Sequence, residues 1–164
     1  MNNKYSLITG GTAGIGLDIA KELAKRGHNI LLTARREERL KEISASIKEE
    51  FNVDCNYIAA DLADASAPEM IYNFCSENNY IVEILVNNAG YSINKKFHKT
   101  SEDEEEKFLR VLGIAVVALT KKFIPSMLEQ KHGKIMMVSS LASFAPPSSG
   151  WGALYGPVKT FVNR

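Results

Sequence analysis

The chain has little of what marks secreted, metal-binding or nucleic-acid-binding proteins. Its two cysteines, Cys55 and Cys75, form no CxxC or Cys/His pattern. This argues against a disulfide scaffold, gives no motif for a metal, and predicts free thiols in a reducing compartment. The net charge is +1, from 20 basic and 19 acidic side chains. Electrostatics therefore give no reason to expect nucleic acid as a partner.

Long hydrophobic runs are also missing. The first residues contain no apolar core of a signal peptide. The longest apolar stretch, residues 111–119, is shorter than the ~20 residues that a membrane-spanning helix needs. These observations predict a cytoplasmic protein without a membrane partner.

What the sequence does contain is an alternation of apolar runs and helical patterns, typical of βαβ units with a parallel sheet. At 164 residues the chain is long enough for one domain and hardly for two. Strands are predicted over residues 5–9, 29–34, 57–60, 81–87 and 134–140, and helices over 14–26, 37–51, 67–77, 101–130 and from about 155. Ser101 and Glu104 form a capping-box pattern at the start of the long helix. In the first helix, Ile15, Ile19 and Leu23 are predicted to form the apolar stripe.

A glycine-rich turn joins the first predicted strand to the first helix. Its pattern over residues 9–16 is TGxxxGxG. Glycines in this context let the backbone approach a pyrophosphate whose charge is stabilised by the helix N-terminus. The predicted phosphate site consists of Gly10, Thr12, Gly14, Ile15 and Gly16. No Gly-Lys-Ser/Thr follows, which excludes a P-loop.

The TGxxxGxG pattern resembles that of the short-chain dehydrogenase/reductase family, and further motifs agree in order and spacing. Asp61-Leu62 follows the third strand, residues 87–90 read NNAG at the end of the fourth, and residues 155–159 match YxxxK. The resemblance covers the whole chain. It implies a doubly wound parallel α/β sheet (a Rossmann domain over residues 1–164) with strand order 3-2-1-4-5. It also implies that Asp61, Leu62, Asn88 and Gly90 bind a nicotinamide cofactor.

The YxxxK match points to acid/base chemistry. Tyr155 and Lys159 are four residues apart and share one helix face, where an ammonium beside a phenol favours the phenolate. Such a pair can exchange a proton with a substrate oxygen. The resemblance implies that Lys159 also binds the nicotinamide ribose and that Ser140 hydrogen-bonds the substrate oxygen. Ser139 and Ser143 compete with Ser140, because Ser140 is two residues farther from Tyr155 than the family spacing; residues 146–150 are predicted to carry an insertion.

Cofactor choice is predicted from the residues after the second strand. An acidic residue there binds the ribose 2′-hydroxyl of NAD, whereas an arginine accommodates the 2′-phosphate of NADP. This chain has Arg35 and Arg36, of which Arg35 is the better placed. The alternative interpretation is a solvated arginine pair at a helix start. The sequence favours NADP, with NADPH preferred over NADH.

Two departures from the family limit the prediction. The family has an asparagine eight residues before the threonine that matches Thr120, and this chain has Leu112 there. In the family that asparagine anchors a water of the proton relay, which leucine does not. Family members also continue for a further third of their length with two more strands, so the chain is predicted to lack the last part of the fold.

The resulting prediction is an NADP-dependent oxidoreductase that reduces a carbonyl or oxidises an alcohol through Ser140, Tyr155 and Lys159. Leu112 and the chain length leave an alternative, a non-catalytic nucleotide-binding or interaction protein with the same fold. The run at 111–119 is apolar on nearly every face, as in a helix buried on both sides. With the family resemblance, this predicts a homodimer or homotetramer of the full-length protein.

Overall fold

A computed structural model of the chain describes residues 3–146 and 152–163. Apart from Pro146, the predicted insertion at 146–150 lies outside the described residues.

Five parallel strands form one sheet in the order β3-β2-β1-β4-β5, which confirms the predicted topology. The strands are β1 (Lys4–Thr9), β2 (Asn29–Ala34), β3 (Cys55–Ala59), β4 (Ile81–Asn87) and β5 (Lys134–Met137). The predicted extension of β5 to residue 140 is wrong, because the chain leaves the sheet and enters a 3₁₀ turn at Leu141–Ser143.

Helices cover both faces of the sheet, as expected for a doubly wound fold. They are α1 (Gly14–Lys25), α2 (Glu37–Phe51), α3 (Ala67–Glu77), α4 (Glu102–Leu109), α5 (Ala115–Glu129) and α6 (Tyr155–Asn163). One core cluster joins α1 and α2 to the sheet, and a second joins α3, α5 and α6 to the opposite face. The capping box is confirmed: Ser101 Oγ accepts from the Glu104 N–H at 3.3 Å, and the Glu104 carboxylate accepts from the Ser101 N–H at 3.0 Å.

The predicted long helix contains a segment that the side-chain pattern did not show. Between α4 and α5, residues Arg110–Ile114 are π-helical, so the whole span Glu102–Glu129 is one continuous but irregular helix. Within the described residues it is the one helix long and apolar enough to cross a membrane by length and composition. It packs on β4 and α3.

Helix α1 packs on the sheet through small residues. Its buried positions are Gly16, Ala20 and Ala24, whereas Ile15 is 61% exposed. The predicted stripe is therefore wrong at Ile15, and Ile19 and Leu23 are only half-buried. Residues without long side chains let the helix lie close to the strands. Because α1 follows the carboxyl end of β1 through the short glycine turn, its N-terminus lies at that edge of the sheet.

Candidate functional site

The carboxyl ends of the strands open into one cavity of about 910 Å³. This is the edge where open α/β sheets bind their ligands. The cavity brings together nearly all the predicted cofactor residues. Those that line it are Gly10, Thr12, Ile15, Arg35, Asp61, Leu62, Asn88, Gly90, Tyr155 and Lys159.

Gly14 and Gly16 are not among the lining residues and act through the shape of the turn. A methyl group at Gly16 would lie 2.5 Å from the Gly10 carbonyl oxygen and would also collide with the Asn88 amide. Gly10 has φ +68°, a conformation that favours glycine. Asn88 fixes this arrangement, because its Nδ2 donates to the carbonyls of Thr9 at 2.9 Å and Gly10 at 3.2 Å.

The cavity wall at the start of α1 suits an anion. The N-cap residue is Ala13, which offers no side-chain oxygen to the first-turn N–H groups. Thr12, Ala13 and Ile15 line the cavity at this point. Thr33 also lines the cavity, and within the described residues its buried hydroxyl oxygen has no hydrogen-bond partner. Free donors at a helix N-terminus are the usual binding site for a phosphate, so the wall fits a dinucleotide.

Tyr155 and Lys159 lie together at the other end of the cavity. Lys159 is 6% exposed, its Nζ donates to the Val138 carbonyl at 2.7 Å, and it lies 6.0 Å from the centre of the Tyr155 ring. Burial lowers the pKa of Lys159 because the charged form loses solvation. The structure thus places a desolvated cation beside the phenol ring, as the spacing in the sequence predicts.

The three candidate serines have different surroundings. Ser139 lines the cavity, and its hydroxyl donates to the Lys159 carbonyl at 3.2 Å. Ser140 is not among the lining residues; its Oγ accepts from the Ala142 N–H at 3.2 Å and caps the 3₁₀ turn. The Ser140 hydroxyl is thus a local cap in this structure, and its catalytic role stays a prediction. Ser143, the third candidate, donates to the Ser140 carbonyl at 2.6 Å.

Leu112 lies in the π-helical segment and is 1% exposed. It packs beneath the NNAG loop: a methyl group at Gly90 would lie 3.5 Å from Leu112 Cγ. The position where the family has its relay asparagine is thus apolar and filled. Irregular π-helical turns are frequent at functional sites.

The sequence interpretation missed several residues of the cavity wall. These are Tyr91, Ser92, Lys107, Val111 and Val138, among others. Tyr91 directly follows the NNAG motif, and Lys107 and Val111 are one helical turn apart, which is the signal that would have grouped them. Arg35 and Arg36 are both exposed on the wall, and neither has an ion-pair partner within residues 3–146 and 152–163.

This cavity and its motifs match a known family. The family model for short chain dehydrogenases matches residues 4–164. The chain belongs to the short-chain dehydrogenase family. Curated members with similar sequences include the very-long-chain 3-oxoacyl-CoA reductase of Rattus norvegicus, 33% identical over 164 residues that are 98% of this chain and 51% of that protein. Another is the NADP-dependent 3-hydroxy acid dehydrogenase YdfG of Escherichia coli K12, 31% identical over 96% of this chain and 62% of that protein.

Solved structures of short-chain dehydrogenases superpose closely. A short-chain dehydrogenase from Sphingobium yanoikuyae in complex with NADPH is 30% identical with a TM-score of 0.90, covering 97% of this chain and 61% of that one. The L-sorbose reductase of Gluconobacter frateurii, complexed with NADPH and L-sorbose, is also 30% identical with a TM-score of 0.90, covering 97% and 60%. The chain thus spans about half to three fifths of the length of these relatives, 51% to 62%.

Proposed function

We propose that residues 1–164 are the NADP-binding domain of an oxidoreductase that reduces a carbonyl or oxidises an alcohol. One observation carries this proposal: a single cavity joins the glycine turn and the α1 N-terminus to the Tyr155–Lys159 pair. The similar structures with bound NADPH support it. The expected location is the cytoplasm.

Different residues of the cavity would bind different parts of the cofactor. The N–H groups at the start of α1, with Thr12, would bind the pyrophosphate. Asp61 and Leu62 would contact the adenine, and Arg35 would bind the 2′-phosphate. Tyr155 and Lys159 would hold the nicotinamide ribose. Bound NADPH supplies the hydride, and the protein supplies binding, orientation and the proton.

The proton chemistry belongs to Tyr155. Its hydroxyl would give a proton to the oxygen of a carbonyl substrate, or take one from an alcohol. The Lys159 ammonium favours the phenolate that remains, and its position beside the Tyr155 ring is fixed by the bond to the Val138 carbonyl. A serine hydroxyl would donate to the same substrate oxygen. Ser140 is the residue that the family motif indicates, whereas Ser139 is the one that lines the cavity.

Turnover by serine variants separates these two candidates. In the full-length protein, Ser140→Ala lowers kcat by about 10²- to 10³-fold if Ser140 donates to the developing oxyanion. Ser139→Ala is the matched variant and would then have a small effect. The reverse result assigns the role to Ser139.

Cofactor preference is tested by titrating the chain with NADPH and NADH and following cofactor fluorescence. We expect tighter binding of NADPH, and a loss of about 10-fold or more in NADPH affinity for Arg35→Ala, the effect of removing a charge-assisted hydrogen bond. Arg36→Ala is the control for removing one positive charge from the same loop. Equal affinity for both cofactors, unchanged by Arg35→Ala, would contradict the assignment.

A second candidate function is a non-catalytic nucleotide-binding or interaction protein. The buried Leu112 favours it, because the relay position offers no polar atom. Turnover of carbonyl substrates with NADPH by the full-length protein decides between the two. Turnover abolished by Tyr155→Phe supports the enzyme; NADPH binding without any turnover supports the alternative.

An exposed apolar face supports the expected homodimer or homotetramer of the full-length protein. Ile114 and Val117 are 53% and 50% exposed on the long helix, and Phe161 on α6 is 58% exposed. Apolar side chains grouped on adjacent helices are typical of a subunit interface. Light scattering at micromolar concentration should give at least a dimer, and a uniform monomer would contradict this.

A further inference from the structure

We infer that Tyr91 is an aromatic wall of the cavity against which the adenine ring of the cofactor stacks. The inference rests on the proposed function and adds a residue that selects an adenine-containing ligand. Its basis is the position of one exposed ring in the cavity and the groups that surround it.

The Tyr91 ring is supported on one side and accessible on the other. It follows Gly90 directly, lines the cavity and is 42% exposed. Its ring meets the ring of Phe108 edge-on, with centroids 5.5 Å apart and planes at 89°. Phe108 is 1% exposed, so a core residue fixes the plane of the Tyr91 ring. A pre-oriented aromatic surface is therefore present in the cavity before any ligand binds.

Tyr91 lines the same cavity as Arg35, Asp61 and Leu62, the residues proposed to bind the adenosine half of the cofactor. Burial raises the pKa of the Tyr91 hydroxyl. The positive charges of Arg35 and Lys107 lower this pKa, and the negative charge of Asp61 raises it. Of the charged groups that act on Tyr91, Arg35 at the end of β2, Asp61 at the end of β3 and Lys107 on α4 line the cavity, and Glu104 does not. The Phe108 ring that supports Tyr91 also lies 6.4 Å from the Tyr155 ring, so the experiment must separate the two ends of the cofactor. A planar base held near Asp61 and Arg35 would thus meet the Tyr91 ring.

The face of the Tyr91 ring, and not its hydroxyl, is inferred to contact the base. Arg35 carries a charge that suits a phosphate, while the ring offers π-surface and one hydroxyl. Alanine substitution of an aromatic residue that stacks on a base lowers affinity by about 5- to 150-fold. A Tyr91 that acted through its hydroxyl would show the same loss on substitution by phenylalanine.

The chain provides a matched control. Tyr72 on α3 is 38% exposed, and its ring lies 5.6 Å from that of the buried Phe123. It resembles Tyr91 in exposure and in its support by a core phenylalanine, but it does not line the cavity. Tyr72→Ala therefore reports the effect of losing such a packed ring away from the ligand.

The experiment measures binding of three probes to the parent chain and to Tyr91→Ala, Tyr91→Leu, Tyr91→Phe and Tyr72→Ala. The probes are NADPH, adenosine 2′,5′-bisphosphate and reduced nicotinamide mononucleotide. We expect Tyr91→Ala and Tyr91→Leu to weaken NADPH and the bisphosphate by about 10-fold each, within the range for lost base stacking. Tyr91→Phe and Tyr72→Ala should bind as the parent does, and the mononucleotide should be unaffected throughout. Tyr91→Leu keeps apolar contact with Phe108, so it gives the result even if the alanine variant does not fold.

Three outcomes overturn the inference. Unchanged affinity of Tyr91→Leu for the bisphosphate shows that no base stacks there. An equal loss in Tyr91→Phe and Tyr91→Leu shows that the hydroxyl, not the ring, binds. If the parent chain binds neither NADPH nor the bisphosphate, the proposed function fails and the inference fails with it. If the parent chain binds both and Tyr91→Leu binds them equally well, the inference alone fails.

Discussion

The two edges of the sheet differ in how their polar groups are satisfied. At the amino edge the groups pair with one another: the carboxylate of Glu83, 12% exposed, lies 3.2 Å from His28 Nδ1, 3.7 Å from His132 Nε2 and 3.8 Å from Lys4 Nζ. At the carboxyl edge, Arg35 and the Thr33 hydroxyl have no such partner within the described residues. The charged groups named at the amino edge are thus paired within the described residues, although the buried Ser6 hydroxyl near the start of β1 has no partner there.

The amino edge is expected to contribute to the stability of the fold, and the carboxyl edge to ligand binding. The amino edge also contains a hydrogen bond from the buried Tyr5 hydroxyl to Asp54, whose carboxylate pairs with Lys48 at 3.0 Å. The carboxyl edge keeps a helix N-terminus without a side-chain cap and a cavity of about 910 Å³. Changes at the amino edge should therefore alter stability alone, and changes at the carboxyl edge should alter binding.

The largest effect is expected from Gly16→Val. The added side chain would collide with Asn88 and lie 2.5 Å from the Gly10 carbonyl oxygen, so the turn must open. We expect NADPH affinity to fall by about 100-fold, since a misplacement of about 1 Å costs that much in a positioned site. Gly14→Ala is the comparison variant: a methyl group there meets nothing within 4 Å, but φ of +52° disfavours alanine, so it reports backbone strain without the close approach. Equal losses from both variants, in fluorescence titrations, would show that the close approach is not what matters.

Leu112→Asn introduces a polar group beneath the NNAG loop, at the carboxyl edge of the sheet. In the full-length protein it should raise turnover of a carbonyl substrate if the relay needs a polar anchor, with NADPH affinity nearly unchanged. A buried unsatisfied amide costs about 1–3 kcal/mol, so the melting temperature should fall. Leu119→Asn is the control, since Leu119 is 0% exposed on the same long helix and distant in sequence from the NNAG contact. Lower turnover together with a lower melting temperature would mean that the relay argument is wrong.

A smaller effect is expected at the amino edge from Tyr5→Phe. Desolvation raises the pKa of Asp54, but the hydrogen bonds from Tyr5 and Lys48 outweigh it and hold the pKa below its ordinary value. A depressed carboxyl pKa contributes stability that is present above the unfolded value of about 3.9 and is lost as pH falls through the folded value. Losing the Tyr5 bond should therefore cost about 1 kcal/mol at pH 7 and less at pH 3.

Urea unfolding at both pH values measures this difference. Tyr72→Phe, a change on the exposed surface of α3, serves as the control. A destabilisation of Tyr5→Phe that is the same at pH 7 and pH 3 would contradict the role of Asp54, and a loss of NADPH affinity would contradict the separation of the two edges.

The sequence was sufficient for the topology and for most of the cavity. The strand order was implied by the family resemblance, and the glycine turn and the Tyr155–Lys159 pair were recognised from motifs in the sequence. Side-chain periodicity was insufficient elsewhere. It does not reveal a π-helical hydrogen-bond register at Arg110–Ile114, and it assigned Ile15 to the core although that residue faces the cavity. The place of Ser139 and Ser140 depends on where β5 ends, and that of Tyr91 on contacts between distant segments.

The most direct test of the central claim is hydrogen–deuterium exchange of the chain with and without NADPH. The contrast between the two edges predicts slower exchange at the carboxyl edge, in residues 10–16 and 88–91, and unchanged exchange at the amino edge around His28, Glu83 and His132. Protection confined to the carboxyl edge would support the cofactor site. No protection there, or protection at the amino edge, would contradict it.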